Sequence, residues 1–254
     1  AEAYSNLGIA LNGNGELDAA IDSYKQALKI KPDFAEANHV LASLTGKTTN
    51  SAPRQYVEKL FDNYAATFEH SLVEKLKYQT PKIIAEMIIK NQPNKELGTV
   101  LDLGCGTGLA GLELKQFCQN LEGVDLSKLM LEQAKDKRVY DKLIHGDIIE
   151  HLSKSDLDFD YFIAADVFVY LGELSDVFRI IKSKNRRQGK LVFSTEHNER
   201  EGFYLEKSGR YSHSKDYINS LCEKYAFHLA CFEKVTLRKE KSGFITGGLY
   251  SLNF

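Results

Sequence analysis

The stretch VLDLGCGTGLAGLELK, residues 100–115, decides the fold. It begins with apolar residues that favour a strand, passes through glycines at positions 104, 106 and 108, and continues as a helix-like segment. Backbone with so few side chains can turn sharply and can approach a ligand closely. The stretch therefore predicts a strand, a ligand-binding loop and a helix, and the general ligand class is a nucleotide.

The glycine spacing narrows that class. The dinucleotide fingerprint G-x-G-x-x-G would require its third glycine at Leu109, where this chain has leucine. An acid, Asp102, stands just before the loop, where it would repel a phosphate on the following helix. A nicotinamide-dependent oxidoreductase is therefore only the third alternative.

The chain from Thr99 onward alternates strand-like and helix-like segments, which predicts a parallel sheet covered by helices. Five strand-like segments come first: TVLDLG, NLEGVD, KLIHGD, FDYFIAAD and KLVFSTE. Two more, FHLACFEKVTLR and GGLYSLNF, are joined by a short loop and predict an antiparallel hairpin at the sheet edge. We expect an α/β fold with a Rossmann-like, doubly wound, seven-stranded sheet that ends in this hairpin.

The segment DLGCGTG, residues 102–108, resembles the first motif of class I S-adenosylmethionine-dependent methyltransferases. The next two strands also end in acids, Asp125 and Asp147, at the carboxyl edge where open parallel sheets bind ligands. A helix cap is the competing explanation for any one of these acids. The resemblance covers about residues 56–254.

The resemblance implies specific roles. Asp125 would accept hydrogen bonds from both ribose hydroxyls, Asp147 would accept one from the adenine amine, and Ile148 would pack on the adenine ring. It implies an S-adenosylmethionine site, with S-adenosylhomocysteine as product and no metal, that consists of Asp102, Gly104, Cys105, Gly106, Gly108, Asp125, Leu126, Met130, Asp147, Ile148 and Asp166.

Residues 54–97 resemble the helical lid that precedes the first motif in many small-molecule methyltransferases. Tyr64 and Tyr78 are the candidates to close over the methionine end of the cofactor, with Phe68 behind them. The alternative is an aromatic stripe that packs the lid on the sheet. A lid that excludes water suits methyl transfer from a sulfonium.

The segment between the fifth strand and the hairpin, residues 196–221, should face the transferred methyl group. Its candidates for an acceptor pocket are Tyr204, Arg210, Tyr211 and His213. His213 is the first candidate for a general base, and His197 is the second, because imidazole titrates near neutrality. The alternative role for His213, with Ser214, is to cap the following helix.

Two further features bear on the substrate. Arg210 and Arg238 are candidates to bind an acidic acceptor, with a salt bridge as the alternative for Arg238. Residues 166–170, DVFVY, lack the Pro-Pro-aromatic pattern of enzymes that methylate exocyclic amines of nucleic-acid bases, and no Pro-Cys pair lies there. Base methylation is therefore disfavoured.

The first 50 residues have a different texture. Alternating aromatic and small residues at helical spacing, closed by a proline, resemble a tetratricopeptide repeat: Tyr4, Gly8, Ala20, Tyr24, Ala27 and Pro32. A second unit begins at Ala35 and fades into a linker at residues 46–53. One and a half repeats cannot bury their own faces. Either further repeats precede residue 1 or the segment leans on the second domain; a plain helical hairpin is the competing interpretation.

The composition sets the remaining expectations. A net charge of -2 predicts no nucleic-acid partner. The four cysteines are scattered without metal spacing, which favours free thiols in a reducing cytosol, and no apolar run is long enough for a membrane span. We therefore expect a cytoplasmic protein without a membrane partner.

The sequence predicts a repeat-like helical segment at 1–50, with a truncated array as one alternative, and a methyltransferase domain at 54–254. The methyl acceptor would be an oxygen or nitrogen on a small molecule or a protein-borne group, and the repeats could bind a protein partner. From Tyr64 onward the order of segments resembles predicted methyltransferases that carry such repeats. The alternative function is an interaction protein whose methyltransferase fold binds cofactor without catalysis.

Overall fold

The structure is a computed structural model that describes residues 1–70, 77–90, 96–240 and 243–254. Two parts of the predicted lid lie outside the described residues: residues 71–76, which include Leu76, and residues 91–95. Residues 241–242, in the turn of the predicted C-terminal hairpin, also lie outside them.

The N-terminal segment consists of three helices: α1 Glu2–Gly13, α2 Leu17–Ile30 and α3 Ala35–Thr45. Their shared core is built from small residues around one aromatic ring: Ala20, Tyr24, Ala27 and Ala37. A Cβ at Gly8 would lie only 2.8 Å from the Tyr24 ring. The small residue of the repeat pattern is therefore required by the close approach of α1 to α2.

The central sheet begins with five parallel strands, β1 Gly98–Leu103, β2 Cys118–Asp125, β3 Lys142–His145, β4 Tyr161–Ala164 and β5 Lys190–His197, in the order β3-β2-β1-β4-β5. The last two strands, β8 His228–Glu240 and β9 Gly243–Asn253, form an antiparallel hairpin, and β9 pairs with β5. The predicted fold class, including the antiparallel ending, is confirmed.

Two short strands were not predicted: β6 Phe203–Leu205 and β7 Tyr211–His213. β7 pairs with the last two residues of β5, and β6 pairs antiparallel with β7. Strands of three residues are too short to show an alternating pattern of apolar and polar residues, so they could not be predicted from the sequence. They place the turn at residues 206–210 beside the carboxyl end of β5.

Helices cover both faces of the sheet, as a doubly wound fold requires. On one face, α5 Thr80–Lys90 and α6 Leu109–Leu114 pack on Val100, Ile163 and Val192. On the other, α8 Ile148–Lys154, α9 Ser175–Lys184 and α10 Lys215–Tyr225 pack on Leu101, Phe162 and Phe193.

The remaining helices are α4 Arg54–Tyr64, which a short 3-10 turn extends, and α7 Lys128–Asp136. Within the part of the chain that the structure describes, no helix has the length and apolarity needed to cross a bilayer.

Candidate active site

A cavity of about 620 Å³ opens at the carboxyl edge of the sheet. The residues that follow β1, β2 and β3 form one end of it, which we call the cofactor end: Gly104, Gly106, Asp125, Leu126, Asp147 and Ile148. The opposite end, which we call the acceptor end, extends beneath α4 and past the residues after β4. The cavity therefore lies where open parallel sheets bind their ligands.

The glycine loop forms the floor of the cofactor end. Gly104 and Gly106 have φ values of +71° and +53°, in the left-handed region that favours glycine. A Cβ at Gly104 would lie 2.6 Å from a methyl carbon of Val167, whereas a Cβ at Gly106 would meet no atom within 4 Å. Gly104 thus permits close packing inside the protein, and Gly106 leaves open space in the cavity.

Asp125, at the end of β2, fixes the shape of that loop. One carboxylate oxygen accepts the backbone N–H of Gly106 at 2.8 Å, and the other accepts the N–H of Ser127 at 2.8 Å. Burial raises the pKa of Asp125, although these N–H donors act in the opposite direction. The cavity wall therefore carries an acid held in a fixed orientation.

Asp102 lies beneath the loop and is 1% exposed. Burial raises its pKa to about 7, opposed by a 2.6 Å hydrogen bond that the Tyr140 hydroxyl donates to it. Asp102 borders a small pocket that adjoins the cavity and is shared with Phe68, Tyr78 and Cys105. A cation in that pocket would favour the ionised carboxylate.

Sequence reasoning missed Tyr140, which precedes β3 in a segment without a recognisable pattern. Its ring fills the space that side chains at Gly111 and Gly123 would need, with approaches of 2.6 and 3.0 Å. The two glycines were the only available signal, because a glycine inside a strand or helix often marks the close approach of another group.

The other residues predicted at the cofactor divide into two groups. Leu126, Asp147 and Ile148 line the cavity, and Asp147 also caps α8 by accepting the Glu150 N–H at 2.9 Å. Met130, by contrast, is fully buried on α7 and does not line the cavity. Its predicted place beside the adenosine is corrected, because the inward face of α7 buries this side chain.

Two further predicted positions contribute through the backbone. Gly108 precedes α6 as its cap residue rather than lining the cavity. Cys105 is 6% exposed, and burial raises the pKa of its thiol well above the usual range. Its sulfur faces Gly123, where a Cβ would lie 2.8 Å away. The Cys105 thiol therefore points into the protein.

The predicted lid residues lie over the cavity. Tyr64 and Phe68 line it, and Tyr78 also lines it, with its hydroxyl 3.5 Å from the carbonyl oxygen of Ala165. Three bonds tie the segment at 62–69 to α7 and its cap: Ser127 Oγ to Asp62 at 2.5 Å, Gln133 Nε2 to the Ala65 carbonyl at 2.6 Å, and Lys137 Nζ to Glu69 at 2.5 Å. Residues 62–69 are thus held against α7.

A buried ion-pair cluster lies at the acceptor end. Arg238 contacts Glu196 and lies 3.6 Å from an oxygen of Asp166, and Arg210 lies 3.6 Å from Glu196. The salt bridge that the sequence allowed for Arg238 is therefore present, and both arginines line the cavity. Burial raises the pKa of Glu196, against the lowering effect of Arg238.

Asp166 itself is held in an uncommon conformation. Its φ of +57° is rare for a residue other than glycine. Ser194 Oγ donates to its carboxylate at 2.7 Å and accepts its backbone N–H at 2.8 Å. This pair of bonds stabilises a backbone that turns sharply away from β4, so that Asp166 faces the cavity.

Neither histidine predicted as a base reaches the cavity. His213 is fully buried on β7, where Nε2 lies 2.9 Å from the Gly172 carbonyl oxygen, and burial lowers its pKa to about 4. The side chain of His197 is 4% exposed and packs against Phe232. Neither histidine is therefore placed to act as the general base. The direction of each side chain depends on how β5 and β7 pair, which cannot be predicted from the local sequence.

Two other residues predicted for the acceptor pocket, on β6 and β7, also lie outside the cavity because of how these strands pair. Tyr211 is fully buried, and the Arg200 guanidinium stacks on the Tyr204 ring; neither residue lines the cavity. The apolar wall comes instead from α4 and the residues after β4. Phe61 and Tyr170 meet edge to face there, with ring centroids 5.3 Å apart.

Polar groups complete the acceptor end, and sequence reasoning missed them. Glu173 and Asp176 line it, as do three linker residues, Asn50, Ser51 and Ala52, while Arg54 lines the cavity and pairs with Glu150 of α8. Across residues 1–70, 77–90, 96–240 and 243–254, no group of three or more His, Cys, Asp or Glu side chains could hold a metal ion.

The fold and the position of the cavity define a class I S-adenosylmethionine-dependent methyltransferase fold with an N-terminal repeat segment. The chain belongs to the family described as "Methyltransferase domain", whose profile matches residues 94–244. A tetratricopeptide-repeat profile matches residues 1–34. Neither match sets the boundary between 1–50 and 54–254, which stays a prediction.

Curated relatives match only short stretches. "Ribosomal RNA small subunit methyltransferase C" of Haemophilus influenzae (strain PittGG) is 29% identical over 119 residues, 42% of this chain and 36% of the relative. "Ribosomal RNA large subunit methyltransferase G" of Shewanella woodyi is 36% identical over 61 residues, 23% of this chain and 15% of the relative. The matched stretches thus span about a third or less of the length of these relatives.

Solved structures share the fold over most of the chain. Magnesium protoporphyrin IX methyltransferase from Synechocystis PCC 6803, with bound S-adenosylhomocysteine, has a TM-score of 0.62 at 18% identity and covers 79% of this chain and 98% of its own. The N-methyltransferase NodS from Bradyrhizobium japonicum, with the same ligand, has a TM-score of 0.60 at 15% identity and covers 77% and 97%. At these identities the likeness concerns the fold.

Proposed function

We propose that the protein transfers a methyl group from S-adenosylmethionine to an oxygen or nitrogen on a small molecule or a protein-borne group. One observation carries this proposal: a cavity runs from the glycine loop to a second end that lies beneath α4 and beside the residues after β4. Such a cavity can hold a nucleoside cofactor and an acceptor in contact. Family membership and cofactor-bound structures with the same fold support it.

The cofactor end suits an adenosyl group. The fixed carboxylate of Asp125 would accept the ribose hydroxyls, while Asp147 and Ile148 would hold the adenine. Gly106 leaves room for the backbone to approach the ligand, since no atom lies near its missing Cβ. Asp102, Cys105 and Gly108 would contribute through the loop, and Asp102 would also favour the ligand's ammonium group.

The bound sulfonium would supply an electrophilic methyl carbon, so the protein's task is to align the acceptor and to exclude water. Tyr64, Tyr78 and Phe68 would cover the methionine end from the lid. None of the described residues that line the cavity is a histidine. Carboxylates are therefore the proton acceptors within reach, and Asp166 and Glu173 are the candidates.

Glu173 is the better defined of the two candidates. It accepts the Ser175 N–H at 2.9 Å and the Tyr217 hydroxyl at 2.7 Å. Its pKa is lowered because these hydrogen bonds outweigh burial, which acts in the opposite direction. It would therefore be ionised at neutral pH and able to hold a polar or cationic group of the acceptor.

The whole cavity measures about 620 Å³ and would be shared by the cofactor and the acceptor, so the methylated group should be small, whether it is free or borne by a protein. The relatives named above are ribosomal RNA methyltransferases, so the absence of a nucleic-acid partner stays a prediction. A protein partner for the repeats likewise stays a prediction. The idle interaction protein is the second candidate, and the acidic and basic side chains that line the acceptor end favour the enzyme over it.

Calorimetry tests the cofactor. S-adenosylhomocysteine should bind the wild-type protein, and Asp125→Ala should weaken the affinity at least tenfold, or about 1.4 kcal/mol. Asp156→Ala, an exposed acid paired with Arg186, is the control and should bind as the wild type does. Absence of binding to the wild type would contradict the proposal.

Transfer is tested separately with S-adenosylmethionine labelled on its methyl group. Label should enter a small-molecule or protein fraction of a cell extract with the wild-type protein and not with Asp125→Ala. Cofactor binding without incorporation into any fraction would instead favour the idle interaction protein.

A further inference from the structure

The N-terminal segment contacts the methyltransferase domain at the acceptor end of the cavity. We propose that this segment is part of the acceptor site, and that His39 on α3 is a positioning residue that acts through the turn at residues 206–210 on Arg210. The inference rests on the proposed function in one respect: that this end of the cavity receives the acceptor.

The linker makes the first connection through backbone atoms. The Asn50 carbonyl oxygen accepts the N–H groups of Gly172 at 2.9 Å and Glu173 at 2.8 Å. The Ala52 N–H donates to the Tyr170 carbonyl oxygen at 3.0 Å, and Ser51 forms an isolated antiparallel bridge with Leu171. The linker therefore fixes the path of residues 170–173.

The side chains on that path line the cavity: Tyr170, Leu171 and Glu173. Asn50, Ser51 and Ala52 line it themselves. Two paired chain segments therefore form the wall of the acceptor end at this point. One belongs to the methyltransferase domain, and the other is the continuation of the repeat segment.

His39 makes the second connection. It is 2% exposed, and its Nε2 lies 2.9 Å from the Gly209 carbonyl oxygen. Its ring packs against Tyr56 and Tyr211, with centroid distances of 5.0 and 6.1 Å. Burial lowers the pKa of His39, so the ring is neutral at neutral pH and Nε2–H donates to the Gly209 carbonyl.

The turn that His39 contacts carries Arg210 into the cavity. Gly209 has a φ of +78° and lies between Glu206 and Arg210, which are joined by a backbone hydrogen bond of 2.8 Å. Arg210 lines the acceptor end and approaches Glu196 at 3.6 Å. A shift of the turn would therefore move a guanidinium inside the cavity.

Two side chains of the linker add to this connection. The Thr49 and Tyr211 hydroxyls lie 2.6 Å apart, and Thr48 Oγ1 accepts the Leu205 N–H at 3.4 Å. The N-terminal segment, through its linker and His39, thus holds residues 170–173 and the turn at residues 206–210. It makes none of these contacts with the glycine loop or with Asp125, so the cofactor end should not depend on it.

Hydrogen exchange measured by mass spectrometry tests the inference. His39→Phe keeps an aromatic ring between Tyr56 and Tyr211 but removes the donor to Gly209. Amides in residues 168–173 and 203–211 should exchange at least fivefold faster than in the wild type. The affinity for S-adenosylhomocysteine should stay within twofold of the wild-type value.

Two variants separate positioning from a general loss of stability. His39→Gln supplies an amide donor in place of the imidazole and should restore at least half of the lost protection on a logarithmic scale. Ser43→Ala, one turn further along α3, removes a bond only to the Val40 carbonyl and should leave both segments unchanged.

The outcomes are distinct. Wild-type exchange rates at both turns in His39→Phe would overturn the inference, as would equal acceleration in Ser43→Ala. Should His39→Phe fail to fold, Thr49→Val removes the Tyr211 contact alone and should accelerate exchange in residues 203–211; no change would overturn the inference. If the wild-type protein did not bind the cofactor, the proposed function would be contradicted instead. The exchange results could still be interpreted, because they report on contacts of His39 and the linker.

Discussion

The two ends of the cavity are built in different ways. At the cofactor end, every lining residue named above stands within a few positions of the carboxyl end of β1, β2 or β3. At the acceptor end, the lining residues come from the linker, α4, the residues after β4, the turn at 206–210 and β8. The first end is a property of the sheet edge, and the second depends on how distant segments meet.

Their electrostatics differ as well. Asp102 and Asp125 at the cofactor end accept bonds from a tyrosine hydroxyl and from backbone N–H groups, and burial raises the pKa of both. At the acceptor end, Asp166 and Glu196 face guanidinium groups. A cationic ligand should therefore be favoured at the first end, whereas at the second end Asp166 and Glu196 are already paired with arginines and Glu173 is the candidate to hold a cationic group.

The largest effect should come from breaking the matched charges. Arg238→Met leaves Glu196 and Asp166 buried without this cation, which should lower the free energy of unfolding by about 3–5 kcal/mol. Urea denaturation would measure it. Arg187→Met removes an exposed arginine that pairs with Asp158 and Asp160, and its midpoint should hardly change. Equal losses in both variants would remove the distinction between buried and surface pairs.

His213 tests the packing behind the acceptor end. Its pKa of about 4 in the folded protein is below that of an unfolded histidine, so the unfolded chain binds the proton first as pH falls. The stability from this group is complete above about pH 6.5 and is lost as pH falls to 4, up to about 3 kcal/mol.

Replacing His213 with glutamine should remove that part of the pH dependence between pH 7 and 4, as measured by thermal unfolding at several pH values. The exposed His228→Gln is the control and should follow the wild-type curve. An unchanged slope in His213→Gln would show that other groups account for acid destabilisation.

A pair of glycine variants tests whether the cofactor end depends on backbone alone. Gly106→Ala adds a methyl group to open cavity space and should weaken S-adenosylhomocysteine binding at least tenfold, about 1.4 kcal/mol, while the melting temperature falls only by the strain of alanine at a φ of +53°. Gly104→Ala meets Val167 and should instead lower the melting temperature by several degrees. Calorimetry and thermal unfolding of both proteins would show whether the two effects separate in this way.

The smallest effect concerns the lid. Asp62→Asn weakens the bond from Ser127 Oγ and should increase the dissociation rate of S-adenosylhomocysteine about two- to fivefold, a cost below about 1 kcal/mol. Stopped-flow displacement would measure it, with the exposed Gln55→Ala on the same helix as the control. A rate equal to that of the control would mean that this bond does not hold the lid.

The contrast between the ends also explains how much the sequence predicted. The succession of strands along the chain, the glycine loop and the acids at 125 and 147 follow from local patterns. The structure places the loop and these acids at one edge of the sheet. Tyr140, Glu173 and the linker residues were missed, because their positions depend on contacts between distant parts of the chain. His213 was misplaced for a related reason: the pairing of β7 with β5 turns its ring into the core.

The buried thiol of Cys105 has a practical consequence. Because Cys105 is 6% exposed and its pKa is raised well above the usual range, alkylating reagents should spare it at neutral pH. Of the two half-buried cysteines, Cys231 is the better site for a dye, because burial raises the pKa of the Cys118 thiol to about 12. A fluorophore could therefore be placed on the native protein without obstructing the cofactor end of the cavity.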